Sequence, residues 1–499
     1  MRQRSNSLTT RRTADAGLTG EARRLAIGLA AAVLAAFLAA CSVVTGVSGP
    51  TAAVFNQTPP PGADAADTEE HSRIVAAYGG VFHDAKVEQM LVPVVSRIVA
   101  SSDRPDIPYR ITILNSPAIN AFALPGGYLY VTRGLLALAN DSSEVAAVLA
   151  HEMGHISANH AAARQALERQ VLSVSNTSDT TDPSAQVALA AGQRTLASFS
   201  RQQELEADAI GIRTIGKAGY DPYAAARFLT AMANYANFRQ SSLLKDKQPD
   251  FLATHPSTPE RVDFARQAAA QFGPPGTGDV DRNRYLDGID GMVFGDDPSQ
   301  GFVRDRMFIH PGLGIGFTVP QGFVIDNTSD AVLATGVDGT ALRFDAVGLA
   351  QGTDLSDYLR SGWINGLDPA SIRSFSVNGL QAASAEAAAK GWFFEIAVIQ
   401  AGGAATYRFI FANETRSPAF KSESDETVAS FRNVSQQELA GLKALHVHIV
   451  TAAPGDTDAI VARRMHGVDR PLDLFRVLND VQPGVAIQPG TRLKIVDDR

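Results

Sequence analysis

Two histidines four residues apart, with a glutamate beside the first, form the stretch His151-Glu152-Met153-Gly154-His155. On an α-helix each residue advances about 100°, so the two imidazoles stand one above the other on a single face and can share a metal ion. Glu152, one step round, can reach the open side of that ion as a general base. A catalytic zinc site takes three protein ligands and leaves a fourth position to water. The stretch Glu204-Leu205-Glu206-Ala207-Asp208 offers the third. Glu204 and Asp208 share a face that Gly211 continues, whereas Glu206 lies about 200° from Glu204 and points elsewhere. Only Glu204 has a carboxylate one turn further on, able to hold the free ring N–H of a ligating histidine. His151, His155 and Glu204 are therefore assigned to one Zn2+ per chain, Glu152 to the base, and Asp208 to the support behind a ligand. His160, about 140° round from His155 on the same helix, falls on another face and reads as structural.

These side chains need two helices and something to hold them. Asp141 and Glu144 make a D-x-x-E start signal, and Val145, Val148, Leu149 and Ala150 supply apolar positions for the first helix. The second runs over residues 184–215, with a candidate break at 198–200. Between them, residues 174–183 are mostly Ser, Thr, Asn and Asp, which predicts a surface loop. Upstream, apolar residues at helical spacing predict a helix over 86–101. Residues 109–114, 120–123 and 128–131 read as strands, the last two joined by the turn Pro125-Gly126-Gly127, and together they predict a small antiparallel sheet.

At this point the chain, from about residue 71 to 270, resembles the M48 family of zinc metallopeptidases, and in particular its periplasmic lipoprotein quality-control type. The matching stretches are Asn120-Ala121-Phe122-Ala123-Leu124-Pro125-Gly126-Gly127, the His151–His155 motif, Ser200-Arg201-Gln202-Gln203-Glu204-Leu205-Glu206-Ala207-Asp208, and Thr254-His255-Pro256 followed by Arg261. The resemblance implies a mainly helical zincin fold whose small sheet has an edge beside the zinc. It implies the same ligands and base as the helical geometry. Substrate would add as a strand along Asn120, Ala121, Phe122 and Ala123. It further implies a regulatory role for His255, whose loop can approach the metal and whose imidazole can fill the open position. Pro256 restricts His255 to an extended backbone.

The 499 residues are too many for one ordinary core. Residues 1–24 carry six arginines against Asp15 and Glu21, and residues 25–40 are apolar. Sixteen helical residues span about 24 Å, short of the roughly 30 Å of a membrane's hydrocarbon core, so residues 1–40 read as a secretory signal. Leu38-Ala39-Ala40-Cys41 resembles a bacterial lipobox, and Cys41, the only cysteine, is the expected lipidation site. Ser42 in the next position implies, by that resemblance, the periplasmic face of a Gram-negative outer membrane. Loss of residues 1–40 leaves 38 basic and 50 acidic residues, a formal charge of −12. With no basic block, nucleic acid is excluded as a partner.

Residues 41–68 read as a tether, 69–272 as the peptidase domain, 273–300 as a Gly/Pro/Asp-rich linker, and 301–435 as an α+β domain without a cluster of titratable residues. Residues 444–499 give strand, Gly455-Asp456-Thr457 turn, two short helices and strand. They resemble the LysM module, which binds glycans containing N-acetylglucosamine, although the usual initial aromatic is absent. The fold class is thus α+β: a zincin domain, an α+β module and a LysM-like β-α-α-β module. The function expected is a zinc endopeptidase acting on misfolded or stalled envelope proteins, with peptidoglycan a further partner through the last module. A peptidoglycan-anchored chaperone or scaffold, and a peptidoglycan-remodelling metallopeptidase, are the rival readings.

Overall fold

The computed structural model describes residues 65–175, 183–240, 255–328, 331–350, 352–401, 405–468 and 470–498. The stretch read as a secretory signal (1–40), Cys41, most of the stretch read as a tether (41–68), most of the predicted polar loop (174–183) and Thr254 lie outside these residues. Among the described residues no helix is long and apolar enough to cross a membrane.

The first core is built around a buried helix. Helix α1 (Ala85–Ser101), capped by Asp84, turns Val87, Met90, Leu91, Val94, Val95 and Ile98 inward. Strands β1 (Arg110–Leu114), β2 (Ala121–Leu124) and β3 (Tyr128–Thr132) follow, and Thr132 caps the short α2 (Arg133–Leu138). The strand order is β1-β3-β2. β2 and β3 form the expected antiparallel hairpin, but β1 runs parallel to β3 (Arg110↔Tyr128 to Leu114↔Thr132), so the sheet is mixed rather than antiparallel. The reason is the path of the chain: residues 115–120 carry it past the place of β3 to the far edge. β2 is thereby left as an edge strand.

Helix α3 (Ser142–Ser157) carries the histidine motif. Its start is fixed by Asp141, whose side chain accepts from the Glu144 N–H, while Glu144 reaches back to accept from Asn140. Every residue from Ser142 to Gly154 is buried, which makes α3 a central helix and not a surface one. The chain then turns at Asn159, in the left-handed region at φ 55°, and starts α4 (His160–Ser175). Helix α5 (Pro183–Lys217) is continuous through the candidate break at 198–200 and packs against both α3 and α4. Helices α6 (Ala224–Gln240) and α7 (Pro259–Ala270) close the domain.

The stretch expected as a linker over 273–300 holds a helix, α8 (Arg282–Ile289), with Tyr285, Leu286 and Ile289 fully buried in the first core. Its Gly, Pro and Asp residues suggested open chain. Three apolar side chains on one helical face outweigh them, because removing those side chains from water stabilises the helix by more than the turn-forming residues oppose it. Strand β4 (Val293–Phe294) follows.

Beyond it, a second core is sandwiched within the α+β module, whose largest sheet has seven strands. The long members β5 (Ala341–Gly348), β6 (Leu380–Ala389), β7 (Trp392–Gln400) and β8 (Ala405–Asn413) pair antiparallel, and α9 (Pro418–Ser430) covers one face. His310 ends a strand, and its Nδ1 accepts from the Leu313 N–H, as befits a turn residue.

The chain ends in β9 (Leu445–Thr451), α10 (Asp458–Ala462), α11 (Pro471–Asn479) and β10 (Arg492–Asp497), the β-α-α-β order expected. β9 pairs with β10 on one side and with β4 on the other, so a three-stranded sheet joins this unit to the stretch that follows α8, and Val447 of β9 is buried in the first core. Lys494 of β10 is fully buried and donates to the carbonyls of Ala137, Leu138 and Ala139, at 2.9, 2.9 and 2.7 Å. Those carbonyls belong to the end of α2, where lone pairs lack helical partners.

Candidate metal centre

Helices α3 and α5 can lie close because glycines face the contact. A Cβ on Gly154 would meet the Ala207 carbonyl oxygen at 3.1 Å, and one on Gly211 would meet the His151 backbone nitrogen at 3.0 Å. This approach brings Glu204 against the two histidines. His151 Nε2 and His155 Nε2 lie 3.0 Å apart; Glu204 Oε2 is 3.5 Å from the first and Oε1 3.5 Å from the second. His255, at the entry to α7, joins them, its Nδ1 3.2 Å from His151 Nε2 and 3.0 Å from Glu204 Oε2. One ligand atom from each of His151, His155, Glu204 and His255 lies within 4.8 Å of the others.

Electrostatics fit a cation at this point. The Glu204 carboxyl is buried, which alone would raise its pKa, yet hydrogen bonds with His151 and His255 hold it well below the carboxylate range. Burial pulls the His151 pKa down, but Asp208 and Glu204 outweigh it and carry it up to about 9. His155, lacking a carboxylate hydrogen bond, is pushed down to about 2 by burial and by its neighbouring imidazoles. Glu152 is buried and its pKa is raised, first by desolvation. Its Oε1 accepts no hydrogen bond and lies 3.7 Å from His255 Nε2. Buried carboxylate oxygens are ordinarily paired, and two imidazoles, a carboxylate and a third imidazole are the donor set that tetrahedral zinc takes.

Asp208 Oδ1 lies 2.9 Å from His151 Nδ1, on the far side of the ring from the cluster. Arg261 grips both oxygens of Asp208 at 2.8 and 2.7 Å, comes within 2.9 Å of Glu204, and donates to the Pro256 carbonyl at 3.1 Å. One guanidinium thus ties α5 to the loop that carries His255. The loop is fastened again where Ser257 Oγ donates to Leu229 O and Thr258 caps α7.

A cavity of about 260 Å³ opens beside these groups, lined in part by Glu152, His155, Glu204, His255, Ala123 and Pro125. Of the edge residues singled out in the sequence, Ala123 reaches this cavity. Asn120 is buried and donates to the Tyr78 hydroxyl at 2.9 Å, Ala121 is buried, and Phe122 stacks on Tyr130 at 4.7 Å. His160 also lines the cavity, which the helical extrapolation missed. Because α3 stops at Ser157 and the chain reverses at Asn159, the 140° offset from His155 does not apply.

Residues 85–269 match the model for Peptidase family M48. Among curated proteins the chain is similar to a putative beta-barrel assembly-enhancing protease of Vibrio cholerae, 31% identical over 208 residues, covering 39% of this chain and 41% of that one. It is similar to the beta-barrel assembly-enhancing protease of Yersinia pestis, 31% identical over 215 residues, covering 40% and 43%. A third relative is the mitochondrial metalloendopeptidase OMA1 of Schizosaccharomyces pombe, 34% identical over 171 residues, covering 34% and 49%. The chain spans about two fifths of the length of the first two relatives. Residues 85–269 are thus similar to the M48 peptidases, and His151, His155 and Glu204 within that stretch are the candidate zinc ligands.

Proposed function

We propose that this protein is a zinc-dependent endopeptidase of a Gram-negative cell envelope that cleaves misfolded or stalled envelope proteins. The observation that carries the reading is the convergence of His151, His155 and Glu204 beside the unpaired Oε1 of Glu152. The names of the bacterial relatives, proteases that enhance β-barrel assembly, favour outer-membrane proteins in transit as substrates.

A zinc ion held by the three ligands supplies Lewis acidity toward a peptide carbonyl and toward water. Glu152 takes the proton of the attacking water and passes it to the leaving amine. Its raised pKa suits both halves of that transfer. Asp208 keeps the His151 ring turned toward the ligand set, and Arg261 keeps Asp208 in place. An extended substrate laid along β2, past Ala123, would be read through its backbone, which gives little side-chain preference. His255 stands where the cleft meets the ligands, so its loop must yield for a substrate carbonyl to approach; the resting enzyme is latent. Lipid on Cys41 anchors the chain at the outer membrane, and residues 444–499 hold it near peptidoglycan.

The test is product analysis from an unfolded outer-membrane protein, with chelator and after return of zinc. Cleavage that stops with chelator and resumes with zinc is the expected result. Release of peptides from muropeptides instead would replace this reading with peptidoglycan remodelling. Full biological function by Glu152→Gln would replace it with a scaffold.

A further inference from the structure

The two metal-facing histidines are backed in different ways, and the second arrangement joins His160 and Glu206, to which the spacing of the motifs gave no part in the site. His155 turns its Nε2 toward His151 and Glu204. Its other nitrogen, Nδ1, lies 2.9 Å from Nδ1 of His160, and His160 Nε2 lies 3.3 Å from Glu206 Oε2. His160 is buried, and the Gln203 side chain pins its backbone by donating to its carbonyl at 3.0 Å. Helix α5 lies against both α3 and α4, so residues on its opposite faces meet the site from two sides. Glu204 faces the histidines of α3 while Glu206 faces the first residue of α4.

Only one set of tautomers satisfies this row. A metal bound at His155 Nε2 leaves the ring hydrogen on Nδ1, where it can be donated to a bare Nδ1 of His160. That leaves the His160 hydrogen on Nε2, aimed at the Glu206 carboxylate. We propose that His160 and Glu206 are positioning residues for zinc, a relay that fixes the tautomer and ring orientation of His155 as Asp208 does for His151. The inference rests on the zinc-site reading above and extends it to residues that touch neither metal nor substrate.

Zinc affinity of the full chain, measured by competition with a chromophoric chelator, and the visible spectrum of the cobalt-substituted protein provide the test. His160→Leu removes the acceptor and should weaken zinc binding by about 10- to 100-fold, with altered cobalt bands. His160→Asn returns an acceptor oxygen close to the place of Nδ1 and should recover most of the loss. Glu206→Leu changes a side chain that is 58% exposed, so it leaves folding intact; it should weaken zinc binding by a smaller factor than His160→Leu. Should His160→Leu fail to fold, Glu206→Leu decides. Wild-type zinc affinity and cobalt spectrum in His160→Leu, or in Glu206→Leu, would overturn the relay, as would an Asn variant no better than Leu. Failure of the unaltered protein to bind zinc would instead overturn the metal site itself.

Discussion

Both ends of α3 sit in dense polar surroundings, and they differ in who supplies the partners. At the start, Asp141 and Glu144 face Arg227, the carbonyls of Ala137, Leu138 and the capping Ala139 at the end of α2 receive Lys494, and Tyr285 and Arg282 donate to the carbonyls of Leu136 and Asn140. Burial pushes Glu144 up to about 7 and Lys494 down to about 7, yet each finds its complement within the chain. At the other end, lone pairs of three imidazoles and a carboxylate converge, and Arg261 is the one guanidinium placed against that carboxylate among the described residues. A buried polar cluster that answers its own charges stabilises a fold. One that gathers acceptors around a point awaits a cation. The contrast separates structural from functional burial on a single helix.

The sharpest way to break this contrast is to strike one end and read out the other. Glu152→Gln should lower turnover of an unfolded protein by about 10²- to 10⁴-fold, the usual share of general acid–base catalysis. Its zinc content and melting temperature should match the parent, as checked by metal analysis and calorimetry. At the opposite end, Lys494→Met should cost about 3 kcal/mol in urea unfolding, because three buried carbonyls lose their donor and nearby acids lose a cation. Zinc affinity of the folded fraction should stay within about twofold, since the change is at the far end of α3. A variant that keeps full stability would show that β10 merely rests on α2.

Asp208→Asn should weaken zinc binding by about 10- to 100-fold, measured by chelator competition, because the partner of His151 loses its charge. It should also lower stability, since Arg261 loses its bidentate carboxylate. This variant sharpens the comparison by showing that the functional end too has a structural layer behind it. The smallest effect is expected from His255→Ala. Cleavage of an unfolded protein at saturating zinc should rise several-fold if the loop bars substrate. A slower variant would assign His255 to turnover.

Most of the site could be read from residue types because helical spacing is local. The i, i+4 pairs His151/His155 and Glu204/Asp208 each fall within one unbroken helix, so the extrapolation holds. It fails for His160, where two residues of non-helical chain intervene, and for the sheet, where pairing depends on which side of β3 the chain passes. Tyr285, Leu286 and Ile289 were visible as an apolar face within an otherwise linker-like stretch, but composition hid them. Lys494 was the hardest to foresee. Lysine is read as a surface residue, and its carbonyl partners lie more than 350 positions upstream.

The paired glycines between α3 and α5 act as a mechanical gauge for the metal site. Zinc ligands must hold their distances to within about 0.2 Å. A methyl group at Gly211, 3.0 Å from the His151 nitrogen, would push the helices apart by a similar amount. Ligand identity is thus only half of the specification. The width of a hydrogen atom at two backbone positions calibrates the rest, and a family of variants graded in size there would tune the metal the cage prefers without altering any ligand.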